Sequence, residues 1–179
     1  MRIKISADMA KLRAKISAVH QRLGALDPAF KRAAVVVMKA ATDRIKSQGG
    51  GQWPPTAEQS KGAPFQRTGR LAASLTIGGT GNVLRDIPGG IRVGTNLQSE
   101  SGFDYPRALQ EGTGIYGPSG QPITPKDGKY LVFQLNGRTI FTRSVKGSPG
   151  RPFLYVDENV SDTVRTVFAN FVMRGRTRE

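Results

Sequence analysis

The chain of 179 residues contains no cysteine and only one histidine and one tryptophan. Without cysteine there can be no disulfide, no thiol nucleophile and no Cys-ligated zinc. A lone His20 excludes any multi-histidine metal centre. It sits near the edge of a helical apolar stripe and reads as a packing residue rather than a ligand. No apolar run approaches the ~20 residues of a membrane span, and the first residues lack the apolar core of a signal peptide. Aromatic residues make up only 7% of the chain. Acidic residues are scarce as well. There are 13 Asp and Glu against 27 Lys and Arg, for a net charge of +14.

The positive charge is uneven. Residues 1–46 hold 11 basic and 3 acidic side chains, whereas residues 151–179 hold 5 and 4. Such an excess points to a polyanion or a strongly acidic protein as neighbour, and carries no information about fold. Catalytic signatures are missing: there is no G-x-x-x-x-G-K-[ST], no G-x-S-x-G and no H-E-x-x-H. The carboxylates Asp86, Glu100, Asp104 and Glu111 are scattered, and Glu100 with Asp104 reads as loop charge rather than a cation site. The expectation is a protein that is not an enzyme and has no cofactor.

Residues 2–5 alternate and read as a short strand. Met9, Leu12, Ile16, Val19 and Leu23 then fall on one face of a helix that stops near Gly24. Asp27-Pro28 opens a second helix, running to about residue 47, with Phe30, Ala34, Val37 and Ala41 in one stripe. Arg32, Lys39 and Lys46 lie opposite at seven-residue steps. This basic back is either a solvated face or a surface for phosphates. Gly49-Gly50-Gly51 ends the helix.

Residues 48–67 show no periodicity, with Trp53 as an expected anchor. A short helix is read from Thr68 to Leu75, strands at about 75–80 and 90–95, and a short helix from Tyr105 to Thr113. A glycine- and proline-rich loop covers 114–128. Asn136-Gly137 between K-Y-L-V-F-Q-L and T-I-F-T-R-S-V is a strong hairpin signal. Phe153, Val156, Val160, Val164, Val167 and Phe171 fit one stripe of a terminal helix over 153–174, followed by a basic tail at 175–179. Before it, S-P-G-R-P-F-L holds Arg151 at a turn-defined corner, either solvated or offered to a partner as a fixed cation.

The fold expected is α+β, one domain over 1–179. It has a helical part at 1–47, an extended loop at 48–67, a mainly β core at 68–152 and a long C-terminal helix. The core is an antiparallel sheet packed by the amphipathic helices.

In order, the chain carries G-G-G-Q-W-P-P-T-A-E-Q-S-K, R-T-G-R-L-A-A-S-L, V-G-T-N, Y-P-R-A-L-Q-E-G-T and G-R-P-F-L. Over about residues 49–155 this order resembles the virion-morphogenesis and tail-component family of tailed bacteriophages, which includes Mu-type protein G and tail-completion and neck proteins. Pro106, Gln110-Glu111 and the long 114–128 loop depart from the family pattern. The resemblance implies a structural protein of the virion, at the head–tail junction or the top of the tail, made in the host cytoplasm. It implies a homo-oligomeric ring, often a hexamer, with other neck, head-closure and tail-tube proteins as partners and no membrane. Trp53, Arg70, Tyr105, Glu111, Thr113, Arg151 and Phe153 become the expected oligomer contacts, with Glu111 of a neighbour as partner for Arg151. Arg32, Lys39 and Lys46 become the residues facing genomic duplex DNA. The alternative is a non-specific DNA-binding or packaging accessory protein.

Overall fold

A computed structural model of the protein describes residues 8–56, 68–135 and 137–177. The strand read at residues 2–5 lies outside them, as do residues 57–67 of the long loop and the last two residues of the tail. The elements are α1 (Met9–Leu23), α2 (Asp27–Ser47), α3 (Arg70–Ser74), β1 (Asn82–Ile87), β2 (Gly90–Thr95), α4 (Tyr105–Glu111), β3 (Leu131–Leu135), β4 (Arg138–Thr142) and α5 (Glu158–Arg174). The fold is α+β, and its strands form two separate two-stranded sheets, β1 with β2 and β3 with β4.

Two compact units divide the chain. The first comprises Met1–Val37, Leu84–Val93 and Val156–Glu179; the second comprises Met38–Val83 and Gly94–Tyr155. In the first unit α1 packs on α5, and Arg22 Nη1 donates to the Val172 carbonyl at 2.9 Å. Phe30 meets Phe168 edge to face with ring centroids 5.1 Å apart, beside the buried Ala29, Ala33, Ala34, Val160 and Val167. No residue of α1 is buried, and Met9, Leu12, Ile16 and Leu23 of its apolar stripe are exposed. His20 is exposed too, which corrects the packing role expected of it.

The second unit is centred on Ala41, Ile45, Ala72, Leu75 and Phe153, with Trp53, Leu71, Leu109 and Leu154 packed around them. Burying such side chains is the main stabilising term, about 25 cal/mol per Å² of apolar surface removed from water.

Two boundaries and the extent of the β core differ from the expectations. The first strand begins at Asn82 because residues 75–81 are turns, with Gly79 so close to the Ala73 carbonyl that no side chain fits. The terminal helix begins at Glu158, after Asp157, whose carboxylate accepts from the Val160 N–H at 2.9 Å. Phe153 and Val156 therefore precede the helix rather than start it, although their spacing continues its stripe. The 3.6-residue pattern cannot distinguish a helix from an extended approach to one. Among the described residues of the expected β core over 68–152, the strands are β1 with β2 and β3 with β4, besides one isolated bridge.

The β3–β4 hairpin matches its sequence signal. Its register runs from Leu131 opposite Thr142 to Leu135 opposite Arg138, and Gly137 has φ +72°; Asn136 of the expected turn lies outside the described residues.

Candidate functional site

The motif segments at 48–56, 68–75, 105–117 and 146–155 all lie in the second unit. Gln48, Gly49, Gly50 and Gly51 have φ of +53°, +65°, +69° and +81°, a left-handed run that closes α2. The Gly49 N–H donates to the Arg44 carbonyl at 2.9 Å and the Gly51 N–H to the Ser47 carbonyl at 2.9 Å. A Cβ on Gly49 would strike the Trp53 indole, so this glycine is also what lets the tryptophan fold back toward the core. Trp53 is the anchor that was expected.

Downstream, the E-G-T-G and K-G-S-P-G-R stretches are laid against each other. The Thr113 N–H donates to the Ser148 carbonyl at 2.9 Å, the Ile115 N–H to Lys146 at 2.9 Å, and the Ser148 N–H to Thr113 Oγ1 at 2.9 Å. Gly112, at φ +82°, leaves no room for a side chain: its Cβ would lie 2.8 Å from the Gly150 nitrogen and 2.9 Å from the Tyr116 carbonyl. The 114–128 loop is thus partly structured, with a 3-10 turn at Gly114–Tyr116 and a bridge between Ile123 and Val145.

Arg151 sits inside this arrangement, 5% exposed. Its Nε donates to the Pro54 carbonyl at 2.9 Å and Nη2 to the Pro55 carbonyl at 3.3 Å, while its backbone N–H bonds the Leu109 carbonyl. Prolines lack an N–H, but their carbonyls still need donors, and a guanidinium supplies several in one plane. Burial pulls the Arg151 pKa below the ordinary arginine value. Both readings of Arg151, a solvated corner and a cation held out to a partner, are corrected: within its own chain it fastens the start of the 48–67 loop to the unit. Its expected partner Glu111 is exposed and accepts from Arg107 Nε at 3.0 Å, one helical turn away, which raises the Arg107 pKa.

Two residues outside the expected set do as much. Gln110 Oε1 accepts from the Phe153 N–H at 2.9 Å and the Leu154 N–H at 3.0 Å, and its Nε2 donates to the Leu154 carbonyl at 3.2 Å. Arg44 Nη1 reaches the Phe153 and Tyr155 carbonyls at 3.2 and 2.7 Å, and its guanidinium stacks 3.7 Å from the Tyr155 ring centroid. Phe153, held between them, is 2% exposed in the core of its own chain, where no neighbour can touch it.

Arg70, Tyr105, Thr113 and Arg151 line one open groove of about 1030 Å³, together with Leu71, Phe103, Leu109 and Glu100. Three sequence-distant motifs thus share one wall. Asp104 caps α4 by accepting from the Arg107 N–H at 3.0 Å. Arg32, Lys39 and Lys46 are exposed along α2 and take no part in the groove, and Lys39 pairs with Asp43 at 2.7 Å. Among the described residues no group of three or more His, Asp or Glu side chains could hold a metal ion, and no helix is long and apolar enough to cross a membrane. No protein-family model, curated protein or solved structure matches the chain.

Proposed function

We propose that the chain is a structural subunit of a tailed-phage virion, part of the neck or tail-completion ring that joins the portal side of the capsid to the tail. One observation supports this reading most. The chain ties its motif segments to itself with glycine contacts and buried donors, yet leaves large apolar side chains uncovered elsewhere. Met9, Leu12, Ile16 and Leu23 on α1, and Val132 and Phe141 on the β3–β4 hairpin, are all exposed. Large exposed apolar patches on soluble proteins mark surfaces that other proteins cover. In a ring, identical neighbours cover them.

The role is mechanical. The subunit buries surface and passes on geometry, without chemistry at a reacting atom. The test is native mass spectrometry of the purified protein, alone and with isolated capsids or tails. A homo-oligomer of one discrete copy number that binds particles supports the reading; a monomer that binds neither capsids nor tails overturns it.

The second reading, non-specific binding of duplex DNA, is favoured by the exposed Arg32, Lys39 and Lys46 and the net charge of +14. Its mark is affinity that ignores sequence and falls steeply with salt. Replacing the three residues with Gln should flatten that salt dependence and leave the fold intact. An unchanged salt slope assigns the stripe to solvent or an acidic protein.

A further inference from the structure

We propose that Asp127-Gly128 is a modification site, where the backbone rearranges without an enzyme to an isoaspartyl linkage. This chemistry depends on neither the ring reading nor the duplex-DNA reading.

The rearrangement needs a carboxyl group within reach of the next residue's backbone nitrogen, and a backbone loose enough to let the two meet. A side chain on the next residue obstructs the approach, and a proline there has no N–H to give up. The chain has eight aspartates, and seven of them are held away from this reaction. Asp27 is followed by Pro28. Asp8, Asp104 and Asp157 turn their carboxylates onto the N–H groups of Lys11, Arg107 and Val160 as helix caps. Asp43 and Asp162 lie inside α2 and α5, where the following N–H is engaged in the helix, and they pair with Lys39 at 2.7 Å and Arg165 at 2.8 Å. Asp86 is held in β1 ahead of the branched Ile87.

Asp127 is the exception. It is exposed, belongs to no helix or strand, and makes no hydrogen bond or ion pair among the described residues. Gly128 is exposed as well, and its N–H makes no backbone hydrogen bond among the described residues. Nothing lies within 4 Å of the place a Cβ would take there. Its φ of +91° favours glycine, so the residue that keeps the approach open is the one the backbone calls for.

The Gly128 nitrogen attacks Cγ of the protonated Asp127 carboxyl. An N–Cγ bond forms, a Cγ–O bond breaks, and the hydroxyl leaves with the amide proton as water. Water then opens the cyclic imide at one of its two carbonyls. Breaking the new N–Cγ bond restores Asp127. Breaking the original bond to the Asp127 carbonyl carbon leaves the main chain running through Cβ. The water lost is regained, so mass is unchanged and no oxidant or reductant enters. The backbone is one methylene longer just ahead of Leu131, where β3 begins.

The experiment is peptide mapping of the full folded chain, held at neutral pH and sampled over weeks. Chymotryptic cleavage after Tyr116 and Tyr130 yields a peptide, 117–130, with Asp127 as its only aspartate and without Asn136 of the Asn136-Gly137 pair. A second peak of unchanged mass should grow, resistant to a protease that cuts before aspartate. Its rate should exceed that of isoaspartate formation at Asp43 or Asp86 by about tenfold or more, and lie within about tenfold of the rate in the free peptide 117–130. Asp127→Glu, whose longer side chain closes the corresponding ring far more slowly, should remove the peak. A rate at Asp127 below either bound overturns the assignment, as does a peak that persists in Asp127→Glu.

Discussion

The knot formed by residues 105–117 and 146–155 and the β3–β4 hairpin lie in the same compact unit and are both rich in turn residues. They use them in opposite ways. In the knot, glycine removes side chains so that backbone can lie on backbone, and Gln110 and Arg151 satisfy the polar groups left inside. In the hairpin, Gly137 only reverses the chain, and the side chains on both faces remain available. Where a chain spends its hydrogen-bond donors on itself it fixes a shape; where it leaves apolar area open, it defines a contact. This contrast makes separable predictions for stability and for assembly.

The largest effect should come from the knot's core. Phe153→Ala should cost about 3–5 kcal/mol, read as a lowered denaturation midpoint. A loss below about 1 kcal/mol would mean that the core closes over the gap and that the knot is not the unit's foundation.

Next is Gln110→Ala, which leaves the Phe153 and Leu154 N–H groups without their acceptor. The expected cost is about 1–3 kcal/mol in urea denaturation. Gln110→Glu keeps the acceptor and loses the donor to the Leu154 carbonyl, so it should fall between wild type and alanine.

The hairpin pair Val132→Ser/Phe141→Ser should change monomer stability by no more than about 0.5 kcal/mol, since both side chains are exposed. A large drop in the melting temperature of the monomer would erase the contrast between the two regions.

Helix α1 has no buried residue and should respond only to local terms. Its Asp8 carboxylate accepts from the Lys11 N–H at 3.1 Å, and that bond, with the Lys11 side chain, holds its pKa below the ordinary value. A lowered folded-state pKa means that the cap stabilises at neutral pH and fades as pH falls through the carboxylate range. Circular dichroism should show a slight acid-induced loss of helix that Asp8→Asn largely removes. This is the smallest effect expected.

Much of the fold was legible because its signals are local. Asp27-Pro28, Gly49-Gly50-Gly51 and Asn136-Gly137 each fix a boundary within a few residues, and the structure places boundaries there. The start of α5 was misread because Phe153 and Val156 continue a helical spacing by coincidence, although Asp157-Glu158 carries the ordinary cap signal. Gln110 and Arg44 were not legible at all. Each acts by a side chain reaching backbone more than forty residues away, and such a bond leaves no period and no neighbouring pattern in the sequence. The groove was half legible: Arg70, Tyr105, Thr113 and Arg151 do share it, whereas Phe153 and Trp53 serve the core and Glu111 faces outward to Arg107.

The primary amide of Gln110 has a carbonyl and an N–H group, as a peptide unit does, and it occupies the place of an adjacent strand beside residues 153–154. Those residues belong to no sheet, yet their amide protons are held, as is that of Arg151 by the Leu109 carbonyl. With Pro152 contributing no proton, every exchangeable backbone amide from 151 to 154 is sequestered. In deuterium exchange this coil should therefore keep its protons as a strand would, and release them only when the whole unit opens.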